Sequence, residues 1–123
     1  LLTLITTAGP LVQSAGDQGP NAPYNAAAKF FKVQTQPTQS CPDLRISHLS
    51  YDRRHCSAED ANTWLPIEAL NRATQLELVG TISDEIICLP TNRSQRATLE
   101  NDCPEVVKHC ERLKTDIALL VPT

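Results

Sequence analysis

The chain is poor in aromatic residues, with one Trp, two Tyr and two Phe among 123 positions. Its core must therefore be aliphatic, and nine prolines break it into short elements. Methionine is absent even at position 1, which reads as a processed or trimmed start. Four glycines cannot supply a P-loop or a dinucleotide fingerprint, so no nucleotide or other cofactor is expected. No stretch reaches ~18 consecutive apolar residues, the length a membrane-spanning helix needs. Gly9-Pro10 interrupts the one apolar run at the amino end, and no transmembrane segment is expected. A surplus of positive charge is missing too, since 11 Lys and Arg face 14 Asp and Glu. That balance opposes strong nonspecific nucleic-acid binding, whose affinity comes from neutralising phosphates. The sequence also has no C-x-x-C pair and no G-x-S-x-G nucleophile elbow.

What is present is enough chain for one domain with a real core. Leu1 to Val12 is apolar and uncharged, and Gly16 to Pro23 is rich in Gly and Pro. Residues 1–24 are accordingly read as a secretory signal remnant or an apolar arm followed by a linker, and 25–123 as a single compact domain. If the apolar segment stays, its alternation through Leu2, Leu4 and Thr6 suits a strand added to an exposed sheet edge, in this chain or in an oligomer. Five cysteines occur, and 14 residues separate Cys41 from Cys56 and likewise Cys88 from Cys103. Equal loops predict disulfides Cys41–Cys56 and Cys88–Cys103, each worth ~3 kcal/mol of lost denatured-state entropy. Cys110 is then a free thiol, although Cys88–Cys110 with Cys103 spare is the competing arrangement. Asn92-Arg93-Ser94 forms a glycosylation sequon at Asn92. Together these features point to an oxidising, extracellular compartment.

Hydrophobic periodicity predicts strand 44–50, helix 58–75, strand 76–82, strand 85–89, helix 104–115 and strand 116–121. Ser57 followed by Glu59 and Asp60 marks one helix start, and Asp102 before Pro104 marks the other. Helix through Gly80 competes with the strand reading of 76–82. The order βαββαβ implies an α+β fold, a two-layer ferredoxin-like sandwich stabilised by disulfides, with Leu70, Leu76, Ile87, Val107 and Leu113 buried together. A mostly α, disulfide-linked fold is the alternative. In element order alone, over residues 41–123, this layout is similar to small secreted killer-toxin subunits and some fungal effectors. No functional residue is carried over from that likeness.

Three histidines, His48, His55 and His109, two of them beside cysteines, supply metal-ligand types without metal-ligand spacing, so no metal site is expected. An acid and base pair for phosphodiester cleavage would need His48 and His55, with Glu59 as a further proton carrier and Arg53 or Arg54 for the phosphate. No motif organises them, and paired arginines beside a strand end are commonly a solvated edge. His109-Cys110 has the composition of a thiol enzyme, but neighbours on a helix diverge by about 100°. The leading reading is a small secreted non-enzymatic protein that binds another macromolecule, a protein partner or receptor, through loops 51–57 and 90–102 and the Arg53-Arg54 pair. A ribonuclease-like hydrolase and a structural subunit assembling through the amino-terminal arm or the odd cysteine are the other two.

Overall fold

The computed structural model describes residues 1–10, 30–39, 44–46, 54–55, 60–91 and 94–122. Strand β1, Leu2–Thr6, lies inside a four-stranded sheet. On one side it pairs in parallel with β5, Glu85–Cys88, and on the other with β6, Ile117–Val121. Strand β3, Gln34–Pro37, adds antiparallel to the outer side of β5, giving the order β3-β5-β1-β6. A separate two-stranded ribbon joins β2, Gly9–Pro10, to β4, Leu44–Arg45. Helix α1, Ile67–Gln75, precedes β5, while α2, Gln95–Ala97, and α3, Cys103–Leu113, lie between β5 and β6.

The inner strands β1 and β5 are buried on both faces, while β6 is largely exposed. Leu4, Ile86 and Cys88 point to one face, where Trp64, Leu65, Phe30, Leu44 and Ile46 close the main cluster and Ile67 and Leu70 of α1 pack on it. Thr3, Ile5 and Ile87 point to the other face and are equally buried. There Arg112 of α3 pairs with Glu85, and Thr115 hydrogen-bonds Thr3 between hydroxyls at 2.7 Å. The helices thus lie on opposite sides of the sheet. The two crossovers from parallel strand to parallel strand run in opposite directions along it, which places their helices on opposite faces when both are right-handed.

The α+β content stands: a small mixed sheet of four strands with two principal helices. The ferredoxin-like order does not, because the inner strand comes from residues 2–6, outside the segment from which that order was read. Neither an edge addition nor an arm reaching to a neighbour describes Leu2–Thr6, since both its edges are occupied within the chain. Residues 76–80 form no strand either. Leu76 closes α1, Glu77 turns left-handed at φ 58°, and Leu78 and Val79 donate to the Ala73 carbonyl, so the alternating leucines belong to a helix terminus. Leu76 and Val107, expected in the core, are exposed. Strand 44–50 is described only to Ile46, and its Leu44–Arg45 joins the small ribbon. The first helix begins at Ile67, after a 3₁₀ turn Ala61–Thr63 capped by Asp60; Ser57 and the linker Gly16–Pro23 lie outside the described residues.

Proline explains the form of the last helix. Pro104 has no N–H for the Glu100 carbonyl, and the preceding turn, Thr98–Asp102, widens to π spacing with Cys103 N–H donating to Thr98. Helical winding therefore starts earlier than expected, at Gln95, where the Ser94 hydroxyl accepts from Ala97 N–H at 3.2 Å. Asp102 is buried inside this turn and makes no capping bond.

Gly9 allows the β2 ribbon to close over the core. A Cβ placed there would lie 2.1 Å and 2.3 Å from two ring carbons of the buried Phe30. Gly9→Ala is expected to destabilise the domain by about 1–3 kcal/mol, the usual cost of overpacking. Urea denaturation checks it, and an unchanged midpoint would mean the ring yields freely.

Candidate functional site

The three parallel strands end together. In open sheets with parallel strands, ligands commonly lie outside the carboxyl ends where the crossovers leaving two neighbouring strands go to opposite faces, and here those strands are β1 and β5. A half-open cavity of about 110 Å³ occupies this place. Ile5 and Thr7 line it from β1 and just beyond, Leu89 from just beyond β5, Leu120 and Val121 from β6, and Pro122 from just after it. Thr6 also borders it, with its hydroxyl accepting from Ala8 N–H at 3.1 Å. The walls contain no ionisable side chain, so a charge entering would lose water without gaining a partner.

Strand β6 continues this cavity into a sheet edge. Among the described residues its only strand neighbour is β1. Ile117 N–H donates to the Leu1 carbonyl at 3.2 Å, so by strand alternation Ala118 and Leu120 turn their backbone groups away from β1. The strand reads Ile-Ala-Leu-Leu-Val, with Ile117 63% and Leu120 66% exposed. It has none of the usual protections of an edge: no charge, no proline and no bulge within its five residues.

Titratable groups gather at the opposite, amino ends of the strands. Arg112 grips Glu85 through two bonds of 2.6 and 3.0 Å, and His109 Nδ1 lies 3.4 Å from the same guanidinium. The Arg112 bond, then a bond from Thr35, holds the Glu85 carboxyl below its ordinary 4.5, and the Arg112 value is raised in return. Lys108 likewise lowers Glu105 one turn away on α3. The Arg112–Glu85 contact fastens α3 to β5, while the Lys108–Glu105 pair lies within α3.

The residues singled out in the sequence are scattered. His55 and Arg54 share an exposed turn, while His48, Arg53, Glu59 and the sequon Asn92 lie outside the described residues. His109 turns to Arg112 and makes no recorded bond with Cys110. Cys88, Cys103 and Cys110 are thiols, and no disulfide joins them. Cys88 sits in the cluster facing α1, whereas Cys103 opens α3 on the other face, so the sheet separates the two residues expected to bridge. Cys41 and Cys56 lie outside the described residues. No group of three or more metal-ligand side chains occurs among the described residues, nor any helix long and apolar enough to cross a membrane. No known protein family, curated protein or solved structure matches this chain.

Two outcomes follow. Glu85 has a depressed folded value, so its contribution is complete above the unfolded value near 4.5 and is lost as pH falls through the lower folded one. Glu85→Gln should therefore lower the melting temperature at neutral pH, and the gap to the unchanged protein should close in that acid window; a gap constant with pH would remove the ion pair as its cause. Alkylation in denaturant without reductant should label Cys88, Cys103 and Cys110, whereas a recovered Cys88–Cys103 peptide pair would restore the bridge.

Proposed function

We propose that this chain is a non-enzymatic binding module that takes an extended segment of another protein as an added strand along β6. The observation that carries this reading is the unprotected apolar edge at Ile117–Val121, whose outward backbone groups at Ala118 and Leu120 match the donors and acceptors of an incoming strand. Strand addition needs no cofactor and no charged site, in keeping with the uncharged surroundings of this edge. It also moves the contact surface from loops 51–57 and 90–102 to the carboxyl-terminal strand. Export of the protein is supported by the Asn92 sequon and the five cysteines of the sequence; the thiols at Cys88, Cys103 and Cys110 add nothing to it.

A blocked, uncharged heptapeptide, TVTATVT, is the probe. Titrated into the labelled protein, it should shift the amide signals of 117–121 and slow hydrogen exchange at Ala118 and Leu120. A lysine at an edge position opposes such pairing, so Ala118→Lys should weaken the effect at least several-fold. Peptide binding that leaves the 117–121 signals in place, or equal binding by the variant, would sink the proposal.

A further inference from the structure

The carboxyl-terminal segment gives the core almost nothing. Across residues 94–122, which hold α2, α3 and β6, Asp102 alone is buried. No residue of α3 is, and the apolar Val107 and Leu120 are more than half exposed. Yet the sheet face beneath α3 is closed to water, since Thr3, Ile5 and Ile87 are buried. The main cluster, with Leu4, Phe30, Trp64, Leu65 and Ile86, lies on the other face, and from this segment only the half-buried Leu119 and Val121 pack against it.

Few bonds hold the segment down. Arg112 grips Glu85 from a half-exposed position, where an ion pair contributes little, and among the described residues β6 pairs with β1 alone. Thr115 joins the two parts. Its N–H donates to the Cys110 carbonyl at 2.9 Å, ending α3, and its hydroxyl bonds that of Thr3 at 2.7 Å, so α3 and β6 leave the sheet together. Once off the sheet, the eleven residues of α3 behind their π turn are too few to persist as a helix in water.

From these observations we infer that residues 94–122 are a cover that opens as one unit while β1, β3, β5, α1 and the main cluster stay folded. Local opening draws on segments with little buried apolar surface, and this segment has the least of it in the described chain. Nothing in the opening depends on strand addition to β6. Its consequence is a change of edge. Closed, the outermost strand on this side is β6; open, it is β1, with the N–H groups of Thr3 and Ile5 released and Ile5 and Ile87 bared.

Alternation along β1 supplies the test. Thr3 and Ile5 turn their N–H groups to β6, whereas Thr6 turns its own to β5. In native-state hydrogen exchange at rising urea, Ile5 should therefore exchange with Leu119, Val121 and the α3 amides, at one common opening free energy. Thr6 and Ile87 should be protected at least about tenfold more and open only in global unfolding. Ile46→Val, a change within the main cluster, should speed Thr6 and Ile87 about three- to tenfold and leave the amides of the cover as they were. Should that variant not fold, the exchange pattern of the unchanged protein decides alone. Equal protection of Ile5 and Thr6, or equal acceleration of both sets by Ile46→Val, means that the chain unfolds all at once and overturns the inference. Separate opening free energies for α3 and β6 overturn it as well, since no single cover then exists.

Discussion

Hydrogen bonding on both edges of Leu2–Thr6 is the constraint from which the other features follow. A strand paired on both sides in parallel cannot be connected to its neighbours by short turns, so helical crossovers are required and the sheet is covered on two faces. Leu4 must then find α1 and the Trp64 cluster, while Ile5 faces the α3 side. The two buried threonines of β1 fit the same arrangement: Thr3 shares its hydroxyl with Thr115, and Thr6 turns its own back to Ala8. Each hydroxyl is thereby satisfied by a bond that also fixes the position of a neighbouring segment.

The start of β5 shows how closely the neighbouring strands are adjusted to β1. Leu2 bridges Ile82, a separation of 80, whereas Ile5 pairs with Ile87, a separation of 82, so two extra residues, Ser83 and Asp84, interrupt the ladder. Buried Thr38 holds the interruption from the side, donating its hydroxyl to the Ser83 carbonyl at 2.7 Å and its N–H to the Asp84 carbonyl at 2.8 Å. The Ser83 hydroxyl accepts from Glu85 N–H at 3.3 Å. The bent strand start carries Glu85, the carboxylate that Arg112 of α3 grips.

The helical stripe over 103–113 and the apolar runs at 85–88 and 117–121 were legible in the sequence, since each is a local pattern of the right length. The alternation of Leu2, Leu4 and Thr6 also announced a strand. Its place did not follow, because pairing over more than 80 residues leaves no mark in a short window. The alternating Leu76, Leu78 and Ile82 misled for a different reason: a left-handed Glu77 ends α1 where glycine would ordinarily give the signal. The cavity was invisible for the reason β1 was misplaced. Ile5, Leu89 and Leu120 are ordinary aliphatic residues in three distant segments, and only the parallel register gathers them.

The inner position of β1 has a consequence during synthesis. Residues 2–6 leave the ribosome more than 110 residues before Ile117–Val121, their partners on one side, and some 80 before Glu85–Cys88 on the other. At 5–20 residues per second, the delay before the last strand emerges is on the order of 10 s, far longer than a chain of this size needs to collapse. Until Glu85–Cys88 emerges the nascent chain carries an apolar strand with two open edges, and from then until Ile117–Val121 emerges it carries one. Such a segment is a natural substrate for a chaperone, and the sheet can close only after β6 is free of the exit tunnel.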